Sequence, residues 1–274
     1  MDIATCAVLV SLLLCRLAWA SVLVYADAGT SHDLSSQLLD FLKVVAKEEQ
    51  VRRVMADELA RGDWMGGCKM LIIPAGRDLE YVRLLPSATL RLIRQFIEGG
   101  GSYLGICGGA YFASGTVVFE PGTKNEVVGT RELALFPGTA YGSAYSPFTY
   151  SLGDMRAAPI EVHQYTEGQR NVPLFHMGGC CFDLDEVRRF GWDVIGTYTD
   201  INRPAMIGSR IGKGKVMLIC PHIEFNPELA TTYSGMKWYE EVKSRNGQRQ
   251  AIFQFLFAGL QPEKAEGQTM SFGA

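Results

Sequence analysis

A single cysteine stands in a glycine-rich stretch, GSYLGICGGAYFAS, where an apolar run meets a predicted helix. Gly105 and Gly109 lie two residues before and two residues after Cys107. A nucleophile on a sharp strand-to-helix turn needs small neighbours there, because the backbone leaves no room for a Cβ atom. The helix would aim free N–H groups at the sulfur, which favours thiolate, and the N–H of Gly108 could serve an oxyanion. The alternative is an ordinary buried thiol.

A histidine and a glutamate form the second candidate element, in the stretch LICPHIEFNPE. His222 and Glu224 are two residues apart, so in an extended segment both side chains leave the same face. Glu224 could then hold the imidazole while His222 reaches a thiol. A solvated loop histidine beside an acid is the alternative, and pairing with the glycine turn around Cys107 favours the catalytic interpretation. The other histidines lack this context: His32, His163 and His176. His32 could still line the same cleft, with helix capping by Ser31 or Asp33 as the alternative for that stretch.

The elements that must position these residues alternate between strand and helix in the first half of the chain. The apolar runs SVLVYAD, KMLIIPAG and GSYLGIC are typical of strands, and VRRVMADEL begins as another. SSQLLDFLKVVAKE and SATLRLIRQFIE show helical spacing, the second with Ser87 placed to cap it. Continuous apolar strands separated by helices indicate a parallel sheet covered on both faces. Cys107 then lies at the carboxyl end of a strand, where such sheets place ligands.

The chain becomes rich in short strand candidates after Ser114. The strand candidates are separated by Gly, Pro, Asn and Asp residues, which are typical of turns. The candidates are TVVFE, EVVGTRELALF, APIEVHQY, VPLFHM, WDVIGTYTD and AMIGSRIGKGKVMLIC. GKGK predicts a hairpin turn, since it lacks the spacing of a phosphate loop. Arg249 to Leu260 predicts a last amphipathic helix. The predicted fold class is α/β, a mostly parallel sheet with helices on both faces and β-rich insertions in the second half.

The first twenty residues resemble a secretory signal. An apolar run too short to cross a bilayer is followed by Ala18 and Ala20, the small-x-small pattern of a cleavage site. Asp2 stands where a basic residue is usual, so an apolar N-terminal helix is the alternative. We therefore predict a signal peptide over 1–20, one domain over 21–260 and a loose tail over 261–274. The predicted location is secreted or in the secretory-pathway lumen, with a cytoplasmic location as the alternative.

Composition narrows the classes of ligand. The chain has 274 residues, 47% of them hydrophobic, and a formal net charge of −3, with no basic run. Such a chain can bury a full core but lacks the cluster of basic residues that would bind nucleic acid or a membrane surface. A small-molecule ligand fits better, with no transmembrane span in the mature protein, and the oligomeric state stays open. No residue pattern indicates a metal or cofactor, and four cysteines are predicted to be core thiols with their disulfide state open: Cys68, Cys180, Cys181 and Cys220.

Several blocks in order resemble one known family. KMLIIPAGRDLEYVR, GGGSYLGICGGAYFAS, VVGTRELALFPGTAYG, HMGGCCFD and GKGKVMLICPHIEF are similar to the N-terminal domain of eukaryotic biotin-protein ligases, itself similar to class I glutamine amidotransferases, which have a flavodoxin-like fold. The resemblance covers about Ser21 to Leu260. It implies a nucleophile, a base and an orienting acid, which would be Cys107, His222 and Glu224. It also implies an oxyanion site made by the N–H groups of Gly76 and Gly108.

Departures from the family pattern leave two functions open. Tyr111 stands where glutamine amidotransferases have a glutamine, and Ala75 replaces one of two glycines. The ligase half with its biotin loop is absent, so no biotin ligase activity is expected from this chain alone. We favour a cysteine hydrolase acting on an amide or ester of a small molecule over a non-catalytic ligand-binding or regulatory module. The substrate-binding candidates are Arg77, Asp78 and Tyr111. In a binding module, Arg77, Asp78, Tyr81 and Arg131 could recognise a polar ligand, and a surface or capping role is the alternative for these four.

Overall fold

The computed structural model describes residues 21–46, 50–166 and 170–261. The predicted signal peptide and all of the predicted tail except Gln261 lie outside these residues. The strands are β1 (Ser21–Tyr25), β2 (Gln50–Val54), β3 (Cys68–Ile73), β4 (Ser102–Ile106), β5 (Ser114–Phe119), β6 (Val127–Thr130), β7 (Phe136–Gly142), β8 (Arg156–Val162), β9 (Asn171–His176), β10 (Cys181–Phe182), β11 (Asp193–Tyr198), β12 (Arg203–Ile211) and β13 (Gly214–Ile219). The α-helices are α1 (His32–Val45), α2 (Ala56–Arg61), α3 (Asp78–Leu84), α4 (Ser87–Glu98), α5 (Gly108–Ala113), α6 (Leu184–Arg189), α7 (Lys237–Ser244) and α8 (Asn246–Leu260).

The architecture is α/β, built on a large mixed sheet. Nine strands follow the order β2-β1-β3-β4-β13-β12-β11-β8-β9, and four more form a sheet of order β10-β7-β5-β6. Strands β2, β1, β3, β4 and β13 run parallel, as predicted, whereas the pairings from β13 to β9 are antiparallel. The prediction of a mostly parallel sheet was therefore wrong for the second half. Short turns join β11 to β12 and β12 to β13, and a short turn can connect only antiparallel neighbours.

Helices cover both faces of the large sheet, as predicted. Neighbouring residues on a strand point to opposite faces. In β4 the hydroxyl of Ser102 donates to the carbonyl of Leu260 in α8, and the hydroxyl of Tyr103 donates to the carbonyl of Gly109 in α5. Helices α8 and α5 therefore lie on opposite faces. Helix α1 joins the α8 face through the stacked rings of Phe41 and Phe253, whose centroids are 4.2 Å apart.

Local predictions differ from the structure at several element ends. Ser87 is the first residue of α4 rather than its cap; Pro86 holds the cap position, and the Ser87 hydroxyl donates to Glu132. Helix α8 begins at Asn246, three residues before the predicted start. Strand β7 was missed because its Pro and Gly are typical of a turn. The GKGK turn joins β12 to β13 as an antiparallel hairpin, as predicted. None of the helices described is both long and apolar enough to cross a membrane.

Candidate active site

The backbone at Cys107 is bent into a conformation that few side-chain-bearing residues adopt. Cys107 has φ 49° and ψ −101° and joins β4 directly to α5. A Cβ atom at Gly105 would lie 2.6 Å from the carbonyl oxygen of Gly109, and one at Gly109 would overlap the carbonyl oxygen of Ile73. Both flanking positions therefore require glycine, as the sequence pattern predicted. Strained backbone of this kind is concentrated at functional sites in proteins.

Two backbone N–H groups close to the cysteine have no hydrogen-bond partner among the described residues. A Cβ atom on Gly108 would overlap the backbone of Gly76, so the two glycines touch through their main chains. Gly108 is the first residue of α5, where an N–H has no partner within the helix. Neither N–H donates a hydrogen bond to any residue that the structure describes. Gly76 and Gly108 thus lie together, where the sequence predicted an oxyanion site.

His222 and Glu224 form a buried pair. The Nδ1 atom of His222 lies 3.0 Å from Oε1 of Glu224, and both residues are buried. The Nε2 atom lies 3.4 Å from the carbonyl oxygen of Met177. The segment is a turn, with the N–H of Phe225 donating to the carbonyl of His222, so the prediction of an extended segment was wrong. Pro221 follows the end of β13 and has no N–H with which to extend the strand pairing.

Charges around the imidazole favour its protonated form. Burial alone lowers the pKa of His222. Electrostatic attraction to Cys107, and then to Glu224, outweighs this effect and raises the pKa of His222 well above its ordinary value. The fold therefore brings the three residues predicted as a triad into one interacting group.

Arg249 is a buried cation behind this group that the sequence did not single out. It is 1% exposed, its Nη1 donates to the carbonyl of Ile223, and its Nε and Nη2 both donate to Oδ1 of Asn246. Burial lowers the pKa of Arg249 to about 10, and the negative charge of Glu224 opposes that fall. The only signal in the sequence was an arginine within the apolar pattern of the last helix.

A cleft of about 410 Å³ opens above the cysteine. Arg77, Asp78 and Tyr111 line it together with Cys107, so the three substrate-binding candidates are near the sulfur. The Asp78 carboxylate forms a largely buried ion pair with Arg131, at 2.6 Å, so Arg131 acts on the cleft only through Asp78. The remaining candidates, Tyr81 and His32, do not line the cleft. Tyr81 is buried and donates to the carbonyl of Pro74, and His32 is an exposed residue at the start of α1.

Comparison with known proteins decides the family. A model of the biotin-protein ligase N-terminal family matches residues 20–271. The chain belongs to this family. Over 214 residues it is 34% identical to the biotin–protein ligase of Schizosaccharomyces pombe, a match that covers 76% of this chain and 34% of that protein. The chain therefore spans about a third of the length of that ligase.

Two further proteins match this chain over most of their own length. An uncharacterized protein of Chlamydia muridarum is 34% identical over 221 residues, covering 77% of this chain and 82% of that protein. Among solved structures, a cytoplasmic protein of Salmonella typhimurium LT2 superposes with a TM-score of 0.51 at 12% identity, covering 88% of this chain and 100% of the other. That likeness concerns the fold alone.

Tyr111 fills space in this biotin-protein ligase N-terminal domain that a smaller residue would leave open. Its hydroxyl donates to the carbonyl of Gly178 at 3.0 Å, and a Cβ atom on Gly142 would overlap that hydroxyl. Burial raises the pKa of Tyr111 well above its ordinary value, so the hydroxyl stays protonated and remains a donor. Tyr111 is therefore a fixed wall of the cleft.

The other cysteines in the described part of this family member are free thiols. Cys180, Cys181 and Cys220 are buried, as predicted, whereas Cys68 is half-buried. The sulfur atoms of Cys180 and Cys220 lie 2.7 Å apart. Within residues 21–46, 50–166 and 170–261, no group of three or more His, Cys, Asp or Glu side chains is placed to hold a metal ion.

His176 gives this domain a predicted dependence of stability on pH. Burial, and then the charge of His222, lower the pKa of His176 to about 3. In the unfolded chain this histidine has its ordinary pKa of about 6.5, whereas in the folded protein it stays neutral down to about pH 3. The free energy of unfolding is therefore expected to fall by up to about 1.4 kcal/mol per pH unit as the pH drops from 6.5 towards 3.

Urea denaturation at several pH values tests this, with His176→Gln as the variant. The fall with decreasing pH should be shallower in His176→Gln, while His32→Gln, which alters an exposed histidine, should keep the slope of the original protein. Equal slopes in all three proteins would show that His176 does not carry the effect.

Proposed function

We propose that the protein is a cysteine-nucleophile, amidotransferase-like hydrolase that cleaves an amide or ester of a small molecule through Cys107, His222 and Glu224. The observation that carries the proposal is the bent backbone of Cys107 at the mouth of a cleft, with a buried imidazole and carboxylate interacting behind it. A nucleophile, a base and a group that orients the base are the parts that covalent acyl transfer needs.

The proposed reaction has two halves. The thiolate of Cys107 attacks the carbonyl carbon and forms a C–S bond, and the N–H groups of Gly76 and Gly108 stabilise the oxyanion. The C–N or C–O bond then breaks as His222 gives its proton to the departing amine or alcohol. Water, deprotonated by His222, next attacks the thioester and releases a carboxylic acid and the thiol. Glu224 holds the ring at Nδ1 and stabilises the imidazolium in both halves of the reaction.

A class I glutamine amidotransferase-like, flavodoxin-like core is part of the same proposal. Its support is the parallel half of the sheet, with the nucleophile directly after β4 and His222 just beyond the end of β13, the strand beside it. Two neighbouring parallel strands thus carry the reacting groups at their carboxyl ends, where open α/β sheets bind ligands.

One observation favours a second candidate function, a ligand-binding or regulatory module without turnover. Tyr111 stands where glutamine amidotransferases have a glutamine and is fixed by its bond to Gly178. If the cleft only binds, a Cys107→Ala variant should bind the ligand as well as the original protein does. If it catalyses, the same variant should lose turnover.

The pH dependence of cysteine alkylation tests the catalytic proposal. An imidazolium beside a sulfur favours the thiolate, so Cys107 should react rapidly with iodoacetamide at pH 6.5. In a His222→Gln variant the rate at that pH is expected to fall about 10- to 100-fold. Peptide mass spectrometry over a pH series would give the rate at each cysteine separately.

Cys68 provides a control within the same molecule. Burial raises its pKa to about 12, so its alkylation should be slow in both proteins. A second control is His163→Gln, since His163 bonds Thr197 away from the triad. Slow labelling of a reduced Cys107 in the original protein, or no loss of rate in His222→Gln, would overturn the catalytic proposal and leave the binding module.

A further inference from the structure

Aromatic and branched apolar side chains form one wall of the cleft. They come from β5, β6, α5 and the loop after β7: Tyr111, Val117, Phe119, Val127, Phe148 and Tyr150. The rings touch edge to face in series, with centroids 5.9 Å apart for Tyr111 and Phe119, 5.8 Å for Phe119 and Phe148, and 4.6 Å for Phe148 and Tyr150. We call these six residues the aromatic wall. A surface of this kind binds an apolar group better than a carboxamide.

Polar contacts behind the aromatic wall hold it in place. The amide of Asn125 donates to the carbonyl of Phe148 at 2.8 Å. The buried carboxylate of Glu120, at the end of β5, accepts hydrogen bonds from the N–H of Ser143 and the hydroxyl of Ser146. The loop that carries Phe148 is therefore held by hydrogen bonds at Ser143, at Ser146 and at Phe148 itself. A wall formed before the ligand arrives loses little entropy on binding.

Another part of the cleft lining carries one uncompensated positive charge. Asp78 is paired with Arg131, and Glu80 is paired with Arg83 at 2.8 Å. Arg77 is exposed, lines the cleft and has no ion-pair partner in the part of the chain that the structure describes. An exposed guanidinium beside a binding cleft favours a carboxylate on the ligand.

We propose that the substrates are N-acyl amino acids with an aromatic or branched apolar side chain, and that glutamine is not a substrate. This inference rests on the proposed function. The side chain packs on the aromatic wall, the free carboxylate meets Arg77, and the acyl carbonyl faces Cys107. A C–S bond forms at the acyl carbon as the C–N bond breaks, the amino acid nitrogen takes the proton of His222, and water then releases the acyl group as a carboxylic acid.

Chloroacetyl amino acids test this selectivity at the nucleophile. They share one electrophile, so differences in their rates report binding. The probes are N-chloroacetyl-phenylalanine, its neutral methyl amide and N-chloroacetyl-glutamine, with chloroacetamide as the small reference. We expect alkylation of Cys107 by the phenylalanine probe to be about tenfold faster than by the glutamine probe. It should also be several-fold faster than by the methyl amide, since only the acid carries the charge for Arg77.

Variants assign each preference to its part of the cleft. Tyr150→Ala removes an exposed ring of the aromatic wall and should reduce the preference for phenylalanine over glutamine, whereas Leu152→Ala, an exposed neighbour outside the cleft, should not. Arg77→Gln should remove the preference for the acid over the methyl amide. Its control is Arg83→Gln, which alters a paired arginine that does not line the cleft.

Chloroacetamide separates failure of this inference from failure of the proposed function. Rapid labelling by chloroacetamide with equal rates for the phenylalanine and glutamine probes would overturn the substrate class and leave the catalytic proposal intact. A phenylalanine preference unchanged by Tyr150→Ala, or an acid preference unchanged by Arg77→Gln, would also overturn it. Slow labelling of a reduced Cys107 by every probe would contradict the proposed function itself.

Discussion

Gly109→Ala is expected to destabilise the protein by at least about 3 kcal/mol, or to prevent it from folding. The new Cβ atom would overlap the carbonyl oxygen of Ile73 and lie 3.1 Å from that residue's own Cβ. Ile73 ends β3 in the parallel half of the large sheet and is fully buried. Ile73 cannot move away without disturbing the pairing of β3 with β4, and Gly109 cannot move away without disturbing its bond from the Tyr103 hydroxyl. Relieving the overlap is therefore costly in a close-packed interior.

Urea denaturation measures this cost, and Gly247→Ala is the matched control. Gly247 lies in α8, and a Cβ atom there would meet nothing within 4 Å. Alanine in place of an unhindered helical glycine should be neutral or stabilising by up to about 1 kcal/mol. If Gly109→Ala were as stable as Gly247→Ala, the close approach of α5 to β3 would be wrong, and with it the geometry of the turn at Cys107.

Arg249→Met is expected to cost about 3–5 kcal/mol of unfolding free energy, because it removes one member of a buried group of charges. The carbonyl of Ile223 and the side chain of Asn246 would lose their donors, and Glu224 would lose a neighbouring positive charge. Glu224 is fully buried, and its Oε2 has no hydrogen-bond partner among the described residues. An arginine here compensates a carboxylate that water cannot reach.

A double-mutant cycle tests that explanation. Glu224→Gln removes the carboxylate charge, so Arg249→Met should cost less in the Glu224→Gln background than in the original protein. Arg61→Met is the matched control, since Arg61 forms only an exposed pair with Asp57 and its loss should cost no more than about 1 kcal/mol. Strictly additive effects of Arg249→Met and Glu224→Gln would show that the two charges do not interact.

The sequence predicted the glycine turn at Cys107 and the pairing of His222 with Glu224, but not their surroundings. Gly105 and Gly109 must be glycine because each packs directly against another segment of backbone. Their spacing around Cys107 was enough to predict this. The pairing of His222 with Glu224 was also local, because two residues along the chain suffice to bring them together. The predicted shape of that segment was wrong, since proline at 221 and a turn replace extended backbone.

Local sequence patterns could not predict the aromatic wall or the burial of Arg249. Phe148 and Phe119 are 29 positions apart in sequence, and Arg249 is 25 positions from Glu224. Nothing in the local pattern around any of them distinguishes a ring that lines a cleft from a ring in the core, or a buried arginine from an exposed one. These contacts exist only because the sheets and α8 bring distant segments together.

What the sequence alone determined is the set of local constraints: alternating strands and helices in the first half, the glycine turn at Cys107 and the adjacency of His222 and Glu224. Periodicity and sterics act over a few residues, so they can be read without a structure. Only the tertiary structure decided that β13 lies beside β4, which brings His222 to Cys107, and that the loop after β7 closes an apolar cleft over the sulfur. Such long-range pairings depend on packing the whole core at once, which no short stretch of sequence specifies.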